Sequence, residues 1–374
     1  MLAAVALTRV AFAADAAKDF SDLDPNYKDQ PVVLDGLVWR NGFRAPFVVD
    51  GAPYANADGS RTRFPLAVAP KMRCARNYEV MARQCAGMCV RFRTTADRIS
   101  FKATFGEFYV NKKIVMAGSG FDLYRNGKWF KNAQPDLDFR DGGVFEMSFK
   151  HLNWGSSRKD GNEFALYLPL QCGIVALSVG VPEGVEMLPP KPHAVGDGRP
   201  IVFFGSSIVH AAACSRPGLE HCARVGRFLD AEIVNMGFCG SCQGDLAAAD
   251  AICSIDPLAL VMEYDDNAPT PDFLDRTHAP FFKRIRALKP NLPVLIMTSP
   301  CPLFGERSRM CIARTWLEAK DAGDLNVDFI DTRALFDPCE DVNDCFMDGG
   351  HQNDLGGDLM SRAIAGRLRR MLGL

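Results

Sequence analysis

The sequence predicts an α/β protein built from two parts, a β-sandwich of jelly-roll type followed by a three-layer α/β/α domain with a parallel sheet. Two patterns support this prediction. Between about residues 30 and 180, short runs alternate apolar and polar residues, whereas after residue 200 apolar runs recur at long intervals with helical patterns between them. With 374 residues, of which 48% are hydrophobic, the chain is long enough for two domains that each bury a core.

The first predicted domain covers residues 30–181 and contains short strands of alternating polarity. Residues 90–94 alternate Val, Phe and Thr with two arginines, which is typical of a strand with one buried face. Further strands are predicted at residues 99–105, 144–149 and 164–168. Segments rich in Gly, Asp and Asn separate them, as expected of turns. Many short strands with turns between them predict a β-sandwich.

The composition then changes along the chain. Residues 182–200 contain five prolines and three glycines in nineteen positions, so we expect a linker that crosses the surface of both domains. The second domain covers residues 201–374. Five apolar runs predict the strands of its parallel sheet: residues 201–204, 232–236, 258–262, 293–297 and 327–330. Apolar stripes at helical spacing, including residues 281–288 and 355–372, predict helices that cover both faces of this sheet.

The composition also argues against two classes of function. The formal net charge of −2 leaves no excess of basic residues to hold a nucleic-acid backbone, and no apolar run is long enough to span a bilayer. The thirteen cysteines are an odd number, so they cannot all pair. Close pairs such as Cys339 and Cys345 are candidates for a disulfide in an exported protein, but we expect most of the cysteines to be small buried apolar residues.

The first seventeen residues bear on localisation rather than on the fold. Ala11-Phe12-Ala13 has the small-x-small form of a signal-peptide cleavage site. The apolar stretch before it is short, Arg9 interrupts it, and no basic residue leads it. Residues 1–17 are therefore either a weak or truncated export signal or a frayed terminus. An export signal would imply a periplasmic or secreted protein.

Glycine and polar residues follow the apolar runs at the edge of the sheet where ligands bind in such domains. Four segments stand at these positions: Gly-Ser-Ser at residues 205–207, Gly-Phe-Cys-Gly at 237–240, Asp-Asp-Asn at 265–267 and Asp-Gly-Gly-His at 348–351, before the last helix. Because the carboxyl ends of parallel strands share one edge of the sheet, we expect these four loops to converge.

Together the four loops supply the groups that acyl transfer needs. Ser207 can act as a nucleophile once His351 takes its proton, and Asp348 can orient the imidazole and stabilise its protonated form. The amide N–H groups of Ser207 and Gly240 and the side-chain NH2 of Asn267 can hold the oxyanion that develops on the substrate. This chemistry requires no metal ion and no organic cofactor.

The four blocks resemble those of the SGNH hydrolases, also called the GDSL lipase/esterase superfamily, whose letters stand for a serine, a glycine, an asparagine and a histidine. At those positions this chain has Ser207, Gly240, Asn267 and His351. Residues 120–124, Gly-Phe-Asp-Leu-Tyr, match the Gly-x-Asp-Leu-Tyr signature of the N-terminal domain in one bacterial subfamily, and residues 214–218 match the same subfamily. The resemblance runs from about residue 35 to the end, and it implies a flavodoxin-like SGNH domain that hydrolyses esters.

The chain also departs from the family pattern. The family often has Thr-Gln where this chain has Val209-His210, and it usually has Pro where this chain has Gln352. Asp265 and Asp266 place negative charge beside the asparagine of the third block. None of these departures removes a catalytic group, but each can alter the substrate pocket.

Several residues near these blocks also have structural interpretations. Either serine of the first block can cap a following helix, and we keep that interpretation for Ser206 alone. His210 is too close in sequence to Ser207 to be its obvious base, so we interpret it as a pocket-rim or surface residue. Arg216 is a candidate partner for a carboxylate near the active site. For Asp122 we favour a buried strand end with a hydrogen-bonded carboxylate.

Cys239 and Cys242 form a C-x-x-C pair, which raises the alternative of a redox or zinc site. Zinc would need a second pair of ligands, and Cys85 and Cys89 would have to supply it from the other domain. The glycine loop that an oxyanion hole requires explains the segment better, so we expect no metal site.

The sequence therefore predicts a serine esterase that cleaves carboxylic esters through an acyl-enzyme. By analogy with bacterial SGNH enzymes joined to β-sandwich domains, we expect short-chain esters, chiefly acetyl, on carbohydrate, with a small molecule or a polysaccharide as the substrate. We expect neither nucleic-acid binding nor stable membrane insertion. Two alternatives remain open: a non-catalytic carbohydrate-binding or scaffold protein on the same fold, and a lipase or acylhydrolase of longer acyl chains.

Overall fold

The structure is a computed structural model of the chain, and it describes residues 32–56, 60–107, 114–136, 139–155, 158–301, 305–337 and 339–374. The candidate export signal at residues 1–17 lies outside the described residues. Among the residues described, no helix is long and apolar enough to cross a membrane.

The N-terminal half is a sandwich of two antiparallel sheets. The first sheet has the order β1 (Val32–Leu34), β2 (Leu37–Asn41), β12 (Ile174–Pro182), β7 (Arg98–Phe105) and β10 (Val144–Lys150). The second has the order β13 (Met187–Leu188), β6 (Cys89–Thr94), β11 (Asn162–Tyr167), β8 (Phe121–Arg125) and β9 (Lys128–Ala133), and β3 (Val48–Asp50) also pairs with β6. A small hairpin, β4 (Tyr54–Ala55) with β5 (Arg61–Thr62), and two short helices, α1 (Ala75–Met81) and α2 (Val115–Ser119), complete this half.

Aromatic side chains from the two sheets form the core of the sandwich. The ring centroids of Phe92 on β6 and Phe101 on β7 are 6.3 Å apart, and those of Phe105 on β7 and Phe121 on β8 are 5.9 Å apart. All four side chains are fully buried. The arginines that alternate with Phe92 lie on the other face of β6, as the period of two requires. The predicted β-sandwich is confirmed.

The C-terminal half is a five-stranded parallel sheet in the order β15 (Ile233–Gly237), β14 (Ile201–Gly205), β16 (Ala259–Glu263), β17 (Val294–Met297) and β18 (Val327–Ile330). Its helices are α3 (His221–Leu229), α4 (Leu246–Ser254), α5 (Pro271–Leu288), α6 (Glu306–Asp321) and α7 (Asp354–Leu372). The predicted strands agree with these bounds to within one residue at each end.

Helices cover both faces of the parallel sheet. Phe204 packs with buried residues of α4, α5 and α6 on one face, and its neighbour Phe203 packs with buried residues of α3 and α7 on the other. A strand with apolar residues on both faces must lie inside three layers. The predicted α/β/α architecture is therefore confirmed.

The two halves share an extensive interface. Phe64 and Tyr78 of the N-terminal half belong to the same apolar cluster as Phe238, which follows β15. Within the predicted linker, β13 joins the second sheet of the sandwich. His193 from this segment contacts Asp50 Oδ2 of the N-terminal half (2.8 Å) and Asp230 Oδ1 at the end of α3 (3.1 Å). The segment thus contacts both halves of the chain.

The cysteines are all present as thiols, and nine of the thirteen are buried. This confirms that most of them serve as small core residues. The sulfur atoms of Cys339 and Cys345 lie 3.1 Å apart, so this predicted pair is close in space although the two thiols are not bonded.

Candidate active site

The nucleophile block follows β14 at the carboxyl edge of the parallel sheet. A Cβ on Gly205 would lie 1.9 Å from the carbonyl oxygen of Glu263, so only glycine lets β14 and β16 end side by side here. Ser206 is fully buried, and its hydroxyl donates to the Glu263 carboxyl (3.0 Å) and accepts from the amide of Ile208 (3.0 Å). Ser206 therefore has a structural role, although turns rather than a helix follow it.

Three predicted catalytic side chains meet at this edge. Ser207 Oγ lies 2.8 Å from His351 Nε2, and His351 Nδ1 lies 3.0 Å from each carboxylate oxygen of Asp348. With Nδ1–H donating to Asp348, Nε2 is the nitrogen that can accept the hydroxyl proton of Ser207. This geometry suits a nucleophile, a general base and a carboxylate that orients the base.

The environment of Asp348 keeps it ionised. Partial burial acts to raise the pKa of Asp348, but hydrogen bonds from the amide and ring of His351 and from the amide of Gly350 outweigh it and lower the pKa to about 2. A carboxylate with this pKa is negatively charged at neutral pH. It can therefore stabilise a positive charge on His351.

A tight loop presents the histidine to the nucleophile. Phe346 and Gln352 form an antiparallel bridge, and Gly349 at the turn has φ +79°. Gln352, where the family usually has proline, is buried and donates from Nε2 to the carbonyl oxygen of Ile208 (3.0 Å). This residue ties the histidine loop to the nucleophile turn, so the departure from the family pattern has a structural role.

Two further predicted residues, Gly240 and Asn267, lie in the loops that follow β15 and β16. Gly240 has φ +66°, and a Cβ at this position would meet no atom within 4 Å, so the glycine faces open space. Asn267 Oδ1 accepts from the amide of Cys242 (3.0 Å), which fixes the plane of the side-chain amide and leaves its NH2 group for another acceptor. Both residues therefore remain candidates for the oxyanion hole.

His210 differs from its predicted position. The interpretation as a pocket-rim or surface residue is wrong, because the side chain is only 1% exposed. Its Nε2 contacts the carbonyl oxygen of Leu170 in the N-terminal half (3.0 Å), and its Nδ1 contacts Cys239 Sγ (3.2 Å). Burial, together with the charge of Arg63, lowers the pKa of His210 to about 3, so the ring is neutral. His210 thus links the sandwich to the loop that carries Gly240.

Arg216 pairs with a buried carboxylate of the N-terminal half. Its Nη1 donates to Asp122 Oδ2 at 2.6 Å, and the Asp122 side chain is fully buried. Asp122 lies on β8 within the Gly-Phe-Asp-Leu-Tyr segment, as the interpretation of a buried, hydrogen-bonded strand residue required. Arg216 therefore binds across the interface between the halves.

The two cysteines of the C-x-x-C pair have different surroundings. Cys239 contacts His210, whereas Cys242 accepts from the hydroxyl of Tyr78 (3.5 Å). Burial raises the pKa of Cys239 to about 11, so this thiol stays protonated at neutral pH. In the part of the chain that the structure describes, no group of three or more histidine, cysteine, aspartate or glutamate side chains is arranged to hold a metal ion. The redox and zinc alternatives therefore gain no support.

A cluster of three carboxyl groups lies beneath the nucleophile turn. Glu263 and Asp265 are buried, and Asp266 lies beside them. Ser299 donates from its amide to Asp265 Oδ2 (2.9 Å) and from its hydroxyl to Asp266 Oδ2 (2.6 Å). Burial, reinforced by the charges of the two aspartates, raises the pKa of Glu263 well above its usual value, which favours the protonated form that can donate to a neighbouring carboxylate.

Arg63 is a buried residue that sequence reasoning missed. Its side chain is fully buried, and Nη1 donates to the carbonyl oxygens of Asn235 (2.8 Å) and Gly237 (2.6 Å) at the end of β15. The guanidinium carbon lies 4.5 Å from the centre of the Phe238 ring. Arg63 therefore holds the segment that leads to Gly240. A single arginine between a threonine and a phenylalanine carries no sequence signal for this role.

The fold is shared with solved structures of esterases and an acyltransferase. A protein described as a GDSL-like lipase from Bacteroides ovatus is 22% identical, with a TM-score of 0.74 over 90% of this chain and 98% of its own. Salicylyl-acyltransferase SsfX3 from a tetracycline biosynthetic pathway is 14% identical, with a TM-score of 0.73 over 91% and 98%. The acetyl xylan esterase Est2A from Butyrivibrio proteoclasticus is 12% identical, with a TM-score of 0.59 over 90% and 99%. Comparison with curated protein sequences found no match.

Fold and family together define this protein as an ester hydrolase of the SGNH type. Residues 198–369 match the model of the GDSL-like lipase/acylhydrolase family, and residues 37–187 match the GxDLY model, the N-terminal domain of SGNH-hydrolase-type esterases. The chain belongs to the GDSL-like hydrolases that carry an N-terminal GxDLY domain.

Proposed function

We propose that this protein is a serine esterase that hydrolyses short-chain esters, chiefly acetyl esters, on carbohydrate. The observation that carries the proposal is the contact between Ser207 Oγ and His351 Nε2 at 2.8 Å, with Asp348 on the opposite nitrogen of the ring. A serine hydroxyl needs such a base to become a nucleophile.

The reaction proceeds in two halves. Ser207 Oγ forms a bond to the ester carbonyl carbon while His351 Nε2 takes the hydroxyl proton, and the carbonyl oxygen becomes an oxyanion. The oxyanion is held by the amides of Ser207 and Gly240 and by the NH2 group of Asn267. Collapse of this intermediate breaks the bond to the alcohol, which receives the proton from His351.

A water molecule then replaces the alcohol. His351 takes a proton from this water, which attacks the carbonyl carbon of the acyl-serine. The second tetrahedral intermediate collapses to release the carboxylic acid, and Ser207 recovers its proton from His351. These steps need no metal ion or organic cofactor.

The position of the site supports a substrate that is presented from outside. The side chains of His351 and Asp348 are 34% and 31% exposed, so an ester group on a bulky carbohydrate can reach the catalytic groups. Several of the structures that share this fold are named as carbohydrate esterases or acetyl xylan esterases. One of them is a family two carbohydrate esterase from Clostridium thermocellum in complex with cellohexaose, with 13% identity and a TM-score of 0.59 over 87% of this chain and 99% of its own. We therefore choose acetylated carbohydrates as substrates for the test below.

The test compares wild type with Ser207→Ala on p-nitrophenyl acetate and on a panel of acetylated polysaccharides. We expect Ser207→Ala to lower kcat at least about 10⁴-fold. Ser254→Ala is a matched control, because Ser254 ends α4 and its hydroxyl contacts Ala251 O (2.7 Å) and the Tyr54 hydroxyl (3.5 Å) rather than a catalytic group. Equal inactivity of wild type and Ser207→Ala would favour a non-catalytic binding protein. Strong preference for long acyl chains would contradict the substrate class but not the mechanism.

A further inference from the structure

The Gly-Phe-Asp-Leu-Tyr segment takes no part in the chemistry proposed above, yet its polar residues bind the catalytic half of the chain. Asp122 Oδ2 accepts from Arg216 Nη1 (2.6 Å) and from the amide of Gly218 (3.0 Å). The hydroxyl of Tyr124 donates to the carbonyl oxygen of Gly218 (3.2 Å). Both polar side chains of the segment therefore hold one turn of the other half, residues 215–218.

Close packing adds to these hydrogen bonds. A Cβ on Gly218 would lie 2.3 Å from the Tyr124 ring, so the turn approaches β8 as closely as glycine allows. The guanidinium of Arg216 lies 4.9 Å from the centre of the Trp129 ring, and that of Arg227 on α3 lies 4.4 Å from the centre of the Tyr124 ring. Such contacts between arginine and aromatic rings are attractive. The turn is thus fixed on the sandwich by charge, hydrogen bonds and stacking.

The same turn also holds the helix that follows the catalytic histidine. Ser215 donates from its amide to Asp354 Oδ1 (2.9 Å) and from its hydroxyl to Asp354 Oδ2 (2.5 Å). Asp354 is the first residue of α7 and stands three positions after His351. A continuous set of contacts therefore runs from β8, through turn 215–218, to the end of the histidine loop.

We propose that the Gly-Phe-Asp-Leu-Tyr segment is a positioning element of the active site. Asp122 and Tyr124 fix turn 215–218, and this turn holds the start of α7 so that His351 stays within hydrogen-bond distance of Ser207. The inference rests on the proposed serine esterase function and gives the N-terminal half a role in it. A displacement of about 1 Å between catalytic groups can lower a rate about 10²-fold, so such support has a measurable effect.

The test uses a variant at each end of this set of contacts. Asp122→Asn keeps the shape of the side chain and removes its charge, and Ser215→Ala removes one donor to Asp354 at an exposed position, where the protein is expected to fold. We expect each variant to lower kcat for p-nitrophenyl acetate by roughly 10- to 100-fold with KM little changed. The double variant should lose less than the product of the two single effects, because both act through one set of contacts.

The matched control is Asp324→Asn. Asp324 forms a pair with Arg286, at 2.6 Å, between the end of α5 and the segment after α6, and its side chain is 13% exposed where that of Asp122 is fully buried. Asp324→Asn should lower the midpoint of thermal unfolding with kcat unchanged. Hydrogen exchange gives a second measurement that needs no turnover: amides of residues 347–354 should exchange faster in Asp122→Asn and Ser215→Ala, and at the wild-type rate in Asp324→Asn.

The outcomes separate the two proposals. An active wild type, an inactive Ser207→Ala, and full kcat with unchanged exchange in both Asp122→Asn and Ser215→Ala would overturn the inference and leave the serine mechanism intact. Equal inactivity of wild type and Ser207→Ala would overturn the serine mechanism, and the exchange rates alone would then decide whether the contacts hold the histidine loop. If Asp122→Asn fails to fold, Ser215→Ala decides the inference by itself.

Discussion

Replacing Asp266 by asparagine should stabilise this protein more at alkaline than at acidic pH. Asp266 lies beside two buried carboxyl groups, Glu263 and Asp265, and accepts from the hydroxyl of Ser299 at 2.6 Å. Burial, reinforced by the charge of Asp265, raises the pKa of Asp266 to about 7, whereas the hydrogen bond from Ser299 and the positive charge of Arg309 act in the other direction. An ionised Asp266 is therefore costly in the folded state.

The size and sign of the effect follow from proton linkage. The Asp266 carboxyl ionises near pH 3.8 in the unfolded chain and near pH 7 in the folded protein. Over this window the folded state keeps a proton that the unfolded state has lost, so stability falls as the pH rises from about 4 to about 7. From pH 5 to pH 8 this loss amounts to roughly 2–3 kcal/mol. Asparagine does not titrate and avoids the loss.

The assay is urea unfolding of wild type and Asp266→Asn at pH 5 and at pH 8. We expect the free energy of unfolding of the variant minus that of wild type to be about 2–3 kcal/mol larger at pH 8 than at pH 5, so the variant gains stability relative to wild type as the pH rises. Asp250→Asn is the control, because Asp250 forms an exposed surface pair with Arg284, and its difference from wild type should vary by less than about 1 kcal/mol. The same difference for Asp266→Asn at both pH values would refute the reasoning.

Three further predictions concern single positions. Asp348→Asn should lower kcat for p-nitrophenyl acetate by roughly 10⁴-fold, because the neutral side chain no longer stabilises the protonated His351, and an effect below tenfold would contradict the assigned role. Gly205→Ala should lower the free energy of unfolding by more than about 3 kcal/mol, measured in urea, because the new Cβ would lie 1.9 Å from the Glu263 carbonyl oxygen. Gly366 lies within α7, and a Cβ at this position would have no atom within 4 Å. Gly366→Ala should therefore raise the free energy of unfolding by about 0.5–1 kcal/mol and raise the midpoint of thermal unfolding. A lower midpoint would argue against an open position.

The parallel sheet and the convergence of its loops were predictable because they depend on local patterns. Phe203 and Phe204 are adjacent apolar residues that need cover on both faces, and only a buried parallel strand gives them that. Once the strands are parallel, their carboxyl ends share an edge. The Gly-Ser-Ser and Asp-Gly-Gly-His segments then meet there, 144 positions apart in sequence, with Ser207 against His351.

The contacts between the two halves were not predictable in the same way. His210 is a polar residue in a loop, which favours an exposed position, and it is buried only because Leu170 supplies an acceptor from another domain. The burial of Arg216 and its choice of Asp122 as partner depend on how turn 215–218 docks on β8. The way in which the two halves dock, and the partner that satisfies a buried polar group, leave no periodic pattern or characteristic spacing in the sequence.

Arg63 joins the two halves of the chain into one structural unit. Burial lowers the pKa of Arg63 to about 10, so the guanidinium remains charged at neutral pH, and burying such a charge costs several kcal/mol unless its donors are satisfied. Its donors are satisfied from both sides: Met81 and Gln84 supply carbonyl oxygens from the N-terminal half, and Asn235 and Gly237 supply them from β15. Separating the halves would leave this charge with only part of its acceptors and would expose the Phe238 ring that packs against it. The segment leading to Gly240 therefore has its native environment only when the sandwich is docked, which makes the N-terminal half part of the support of the active site.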